Sequence, residues 1–158
     1  MRCNDLGNEN APTAEDLIEV LEIKFDDPNS EFIDLLKQLY MQGLESDWAF
    51  HELMRRADEF FEELVTVFAA VRDELATREP KPFEYNWHYH ALIDCISCAS
   101  SPKVLTILWQ ELRHPQPEAR KIAITKLARI GKDNKEAHKI LWNARNMELN
   151  TPEETHQF

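Results

Sequence analysis

At 158 residues the chain is about one domain long, and with 3 glycines it has little room for a phosphate-binding loop or a nucleophile elbow. Its 29 Asp/Glu against 18 Lys/Arg give a net charge of −11, far from the strongly basic profile of most nucleic-acid binders. The opening MRCNDLGNENAP lacks the apolar core of a signal peptide, no apolar run approaches membrane-spanning length, and three cysteines leave an odd count. A cytoplasmic protein in a reducing compartment is expected.

Residues 1–12 are polar and read as a flexible tail. Thr13, with Asp16 three positions on, carries a capping-box signature. Leu17, Ile18, Leu21 and Phe25 then follow at helical spacing until Asp26-Asp27-Pro28-Asn29 ends the helix. Ser30 is the expected cap of a second helix, whose buried stripe is Phe32, Leu35, Leu36 and Leu39 and whose end is Gly43. The two form a predicted antiparallel hairpin with Glu15, Asp16, Glu19, Glu22, Glu31 and Asp34 facing outward.

The longest helical signal runs over about 47–77, with Ser46 as its cap. Phe50, Met54, Ala57, Phe61, Leu64, Phe68, Val71 and Leu75 form a heptad seam, which by pattern alone allows a coiled-coil homodimer. Leu53, Phe60, Val65 and Val67 widen the stripe, so a helix in a globular core is the favoured reading, and a break near Asp58 is the alternative to one continuous rod. Asp58, Glu59, Glu62 and Glu63 form an acidic cluster on the far side, with like charges at i,i+4 that Arg55 and Arg56 partly offset. Glu79-Pro80-Lys81-Pro82 ends this acidic helical half (13–79) and is the expected boundary.

Beyond it, helices are predicted at about 86–99, 102–113, 117–130 and 134–148, with Pro102 and Pro117 in first turns, Gly131 as a stop and Asp133 as a cap; residues 150–158 read as a tail. Ile107-Leu108-Trp109 recurs as Ile140-Leu141-Trp142 after 33 residues, and Ala91–Cys98 aligns with Ala123–Ile130 at an offset of 32. A near-constant period in this range marks a helical repeat array. Both tryptophans are expected in the core, as are Cys95 and Cys98.

Leu105, Leu108 and Leu112, then His114-Pro115-Gln116-Pro117, then Ala119-Arg120, Ala123, Leu127 and Ile130-Gly131 resemble the HEAT-repeat unit, including its short bacterial kind, over about 87–148. Gln116 stands where that family usually has Asp, and His88 where it has Arg. The resemblance implies an all-α solenoid of about seven helices whose second helices line a concave face. That face would present Lys121, Thr125 and Arg129, with Lys126 beside them. From the 87–98 helix it would present Tyr89, Ile93 and Ser97, with His90 and Asp94 beside them.

No catalytic residue, metal site or cofactor is expected. His90, Asp94 and Cys98 at i, i+4 and i+8 cannot converge on one ion, because the outer two lie about 12 Å apart along a helix. His88 is expected at a packed inter-helix position. The charge is segregated: residues 1–80 carry 7 Lys/Arg against 20 Asp/Glu, and 113–145 carry 9 against 3. The expected function is therefore a non-catalytic protein-binding module, such as a stoichiometric inhibitor or immunity protein that covers a basic partner through Asp58, Glu59, Glu62 and Glu63. The alternatives are an adaptor using Tyr89, His90, Asp94, Lys121, Thr125 and Arg129, and a nucleic-acid binder using the basic helices of 113–145.

Overall fold

Residues 12–42, 47–76 and 87–149 are described by a computed structural model, and every regular element among them is an α-helix. The eight are α1 (Ala14–Lys24), α2 (Ser30–Gln42), α3 (Asp47–Arg55), α4 (Phe61–Ala76), α5 (Trp87–Ser97), α6 (Lys103–Glu111), α7 (Pro117–Ile130) and α8 (Lys135–Leu149). None of them is long and apolar enough to cross a membrane. The two predicted tails, apart from Pro12, lie outside the described residues, as do the Gly43 and Ser46 end signals and the Glu79–Pro82 boundary.

The chain divides into two compact units at Ser100/Ser101. The first is assembled around α4 and α5. α1 packs on α2 and α4, α2 on α3, and α5 on both α3 and α4. Because two helices cover it, α5 buries Tyr89, Ala91, Leu92, Ile93, Cys95, Ile96 and Ser97. At roughly 1.5–3 kcal/mol for each large apolar side chain, this one helix supplies a substantial share of the unit's hydrophobic stabilisation. Aromatic pairs join the layers. Phe32 meets Phe60 at 5.4 Å between centroids, Phe68 meets Tyr89 at 5.3 Å, and Tyr40 stacks on His88 at 4.1 Å. His88 thus occupies the packed position expected of it, and Trp87 lies against the same imidazole.

The predicted 47–77 rod is two helices. Ala57 donates to the Met54 carbonyl, one residue short of the α-helical partner, and residues 56–60 form turns before α4 starts. Groups that would have pointed to solvent on a straight rod find partners here. Asp58 accepts from the Ser100 amide and hydroxyl, and Arg56 reaches Glu31 on α2. The break also lets the consecutive rings Phe60 and Phe61 both be buried. Leu53, Phe60 and Val67, which lie outside the heptad seam, are fully buried, so the stripe is the wide one of a core helix.

The second unit holds α6, α7 and α8, each touching the other two. Its core is Val104, Leu108, Ala119, Ala123, Leu127 and Ala137, half of it alanine, which lets the helix axes approach closely. Gly131 ends α7 with ordinary right-handed torsions. Its use is space, since a Cβ there would come within 3.0 Å of the Leu127 carbonyl oxygen and 3.4 Å of the His138 backbone at the start of α8. Two expectations fail in this unit. Trp109 and Trp142 are 42% and 54% exposed. Consecutive residues on a helix fan out by about 100° each, so of Ile107-Leu108-Trp109 only Leu108 points fully into a three-helix core.

The helix starts are capped by local side chains. Thr13 and Asp16 exchange the two bonds of a capping box. At α2 the acceptor is Asn29, not Ser30: its Oδ1 takes the Glu31 and Phe32 amides at 2.9 and 3.3 Å. At α8 it is Asn134, not Asp133, accepting from the Ala137 amide at 3.1 Å. In each case the neighbouring Asn places its carbonyl over the first turn, leaving the predicted residue inside or before the turn. Asn29→Ala should therefore lower stability by about 1 kcal/mol, and Ser30→Ala by a few tenths at most. Equilibrium denaturant unfolding of the two variants checks this, and equal losses would return the cap to Ser30.

Candidate functional site

The predicted acidic cluster straddles the helix break. Asp58 and Glu59 lie in the 56–60 turns, while Glu62 and Glu63 stand in the first turn of α4, where carboxylates favour the helix dipole. Asp58 is fully engaged: its Oδ1 accepts from the Ser100 amide at 2.7 Å, and both oxygens take the Ser100 hydroxyl at 3.0 Å. Glu59 receives a two-pronged contact from Arg56, with Nε on Oε1 at 3.0 Å and Nη2 on Oε2. Glu63 has one carboxylate oxygen buried without a hydrogen-bond partner.

Arg56 is the centre of this corner. Its side chain is 18% exposed, donates to Glu31 at 2.8 Å as well as to Glu59, and comes within 3.9 Å of Glu52. Its guanidinium carbon lies 4.5 Å from the centre of the Phe60 ring, a cation–π distance. Arg55 forks onto Glu52 at 2.8 and 2.9 Å. The hydrogen bond from Arg55 holds Glu52 below the usual carboxylate range, and that from Arg56 does the same for Glu59. The sequence marked Arg56 as a neighbour of the acidic cluster, but its contact with Glu31, 25 residues away in the chain, leaves no periodic trace.

Asp58, Glu59 and Glu62 remain exposed, and a second exposed acidic surface lies on and just beyond α1. Glu15, Glu19 and Glu22 on α1, with Asp26 and Asp27 just beyond it, are exposed, and among the described residues none of the five is in an ion pair. Ile23, 79% exposed, projects among them. This apolar residue in an acidic setting was visible in the sequence only as an interruption of the stripe.

The predicted concave surface is partly overturned. Tyr89 is 1% exposed, and Ile93 and Ser97 are buried, because α5 is covered from two sides. The Ser97 hydroxyl donates to the Ile93 carbonyl at 2.7 Å. His90 and Asp94 are half-exposed, with Nε2 and Oδ2 3.9 Å apart. Cys95 is buried, as the alignment with Leu127 implied, and burial pushes its thiol pKa up. Cys98 follows the helix end and is exposed, so it is no core residue. Among the described residues, no three His, Cys, Asp or Glu side chains form a group able to hold a metal ion.

On α7, Lys121, Thr125 and Arg129 are exposed as a stripe, as expected, although the Thr125 hydroxyl donates to the Lys121 carbonyl of its own helix. Arg120 binds the preceding turn through its backbone, donating to the carbonyls of His114 at 2.8 Å and Pro115 at 3.2 Å. Gln116 takes no part through a side-chain cap; its amide donates to His114 Nδ1 at 3.0 Å. His114 and Gln116 are buried in this turn together with Glu111.

No protein-family model matches this chain, and neither a curated protein nor a solved structure matches it.

The depressed Glu52 and Glu59 set the sign of a pH effect. Both are charged in the fold below the pH at which they protonate when unfolded, so their stabilisation is present above about pH 4.3 and is lost as pH falls through their lower folded values. Arg56→Gln should lower the thermal midpoint near neutrality, and the gap to wild type should close as pH drops through that window. A gap that stays constant from pH 7 to well below 4 would contradict the assignment.

Proposed function

We propose that this chain is a non-catalytic protein-binding module whose acidic N-terminal unit covers a basic partner. The observation that carries the reading is the unneutralised carboxylate surface of α1. Residues 1–100 hold 22 Asp/Glu against 8 Lys/Arg, a formal charge of −14. Asp58 and Glu59 are consumed internally, which moves the binding face from the 58–63 cluster to Glu15, Glu19, Glu22, Asp26 and Asp27. These charges steer a cationic partner and speed its capture, while the exposed Ile23 provides an apolar contact that charge alone lacks. A small acidic module of this kind suits a stoichiometric inhibitor or immunity protein that masks a basic enzyme such as a nuclease; this step is an analogy of size and charge.

The four helices of 87–149 belong to the same reading as a HEAT-like pair of repeats. The 32–33-residue period and the run of three mutually packed helices α6–α8 support it. The adaptor alternative loses its aromatic element with the burial of Tyr89 and retains Lys121, Thr125 and Arg129.

Charge reversal tests the proposal. Immobilised wild type should retain basic proteins from a cell extract, released as salt rises, and Glu15→Lys/Glu19→Lys/Glu22→Lys should lose most of that retention. Asp58→Asn should keep it, within what its effect on stability permits. Quantitative mass spectrometry of the eluates reads the result; equal retention by the triple variant would falsify the acidic-face reading.

A further inference from the structure

The last described helix carries a surface that the reading above does not use. Lys135, His138, Lys139, Trp142 and Arg145 are all exposed, and at about 100° per residue they fall within about 60° either side of Trp142. Among the described side chains no carboxylate of this helix shares this side; Glu136 lies about 120° away. The opposite side faces the core, with Ala137 fully buried and Ile140, Leu141 and Ala144 partly so. Trp142, 54% exposed, thus stands in the middle of a cationic stripe.

The acidic stripe of α1 repeats the first two charged positions of this spacing with the opposite sign, and the third position matches Trp142. Glu15, Glu19 and Glu22 fall at i, i+4 and i+7, as do Lys135, Lys139 and Trp142, with Arg145 one turn further. Ile23 flanks the acidic stripe, and its one cation, Lys24, points about 140° away from Glu19. The bulk charges agree: 103–145 holds 10 Lys/Arg against 4 Asp/Glu, opposite the −14 of residues 1–100.

We propose that α8 docks on α1 of a second copy of this chain, its cationic stripe lying along the carboxylate stripe with Trp142 and Ile23 as apolar anchors. Both surfaces are exposed in the single chain, so neither must be uncovered first. The matched stretch is about 10 Å long, two helical turns. Exposed ion pairs contribute little individually, so the anchors set the affinity while the charges set register and partner choice. The result is a weak, salt-sensitive self-association. It does not depend on the functional reading above, since it requires no molecule but the chain itself.

Sedimentation velocity of the full chain is the test. At low ionic strength the weight-average mass should rise above 18.6 kDa with concentration, and it should return to the monomer in about 1 M salt, where the Debye length is about 3 Å. Glu15→Lys/Glu19→Lys/Glu22→Lys and Lys135→Glu/Lys139→Glu/Arg145→Glu should each be monomeric alone, and an equal mixture of the two should associate again. Trp142→Ala should shift the concentration dependence at least several-fold upward. A monomer at every concentration and low salt overturns the proposal, as does a mixture of reversed variants that stays monomeric while circular dichroism shows both folded. Should a variant unfold, the wild-type salt series and Trp142→Ala decide, and a mass indifferent to both overturns it. If single-stranded oligonucleotide binds wild type and not the α8-reversed variant while no self-association appears, the stripe serves a nucleic acid and the inference is wrong.

Discussion

Arg56 is the constraint on which the N-terminal unit turns. A continuous helix over 47–76 would point this guanidinium into water. Instead it touches Glu31 on α2, Glu52 on α3, Glu59 in the following turn and the face of Phe60, itself packed on Phe32. A planar fork with five donors can serve three carboxylates and a ring together, which an ammonium cannot. The corner it holds divides one long amphipathic run into α3 and α4, and both then pack on α5. Asp58 fixes the same corner from the other side by binding Ser100, the last residue of the unit.

This corner also shows that acidic composition and acidic surface are different properties. Of the carboxylates in the first unit, Asp58 and Glu59 at the break and Asp16 in its capping box are spent on the fold, and Glu15, Glu19 and Glu22 on α1 are not. Exposed charge of one sign therefore lines a side of the first helix and, with opposite sign, a side of the last described one. Two exposed large apolar residues, Ile23 and Trp142, sit within these charged stripes.

Local chemistry was the most legible part of the fold. The Thr13–Asp16 box depends on residues three apart, and the helix ranges of 87–149 follow from proline, glycine and apolar spacing. Where a neighbouring Asn competed, the cap moved by one residue, because a carboxamide and a hydroxyl both accept from first-turn amides and the sequence does not rank their reach. Burial was less legible. Tyr89, Ile93 and Ser97 are covered because α5 meets two helices, whereas the equivalent face of α7 presents Lys121, Thr125 and Arg129. Trp109 and Trp142, which the sequence period aligns, are both exposed, because a large ring is internal only when its helix turns that side to a neighbour. Contacts such as Asp58 with Ser100, 42 residues apart, leave no periodic trace.

The central placement of α5 has a consequence for synthesis. The helix that α3 and α4 enclose is the last of its unit to be translated. At about 5–20 residues per second, the twenty or so residues between Ala76 and Ser97 take one to a few seconds to appear. Throughout that interval the nascent chain carries α1 to α4 with the surfaces destined for Leu92, Ile93 and Ile96 still facing water. The N-terminal unit can therefore complete its core only when its fifth helix arrives.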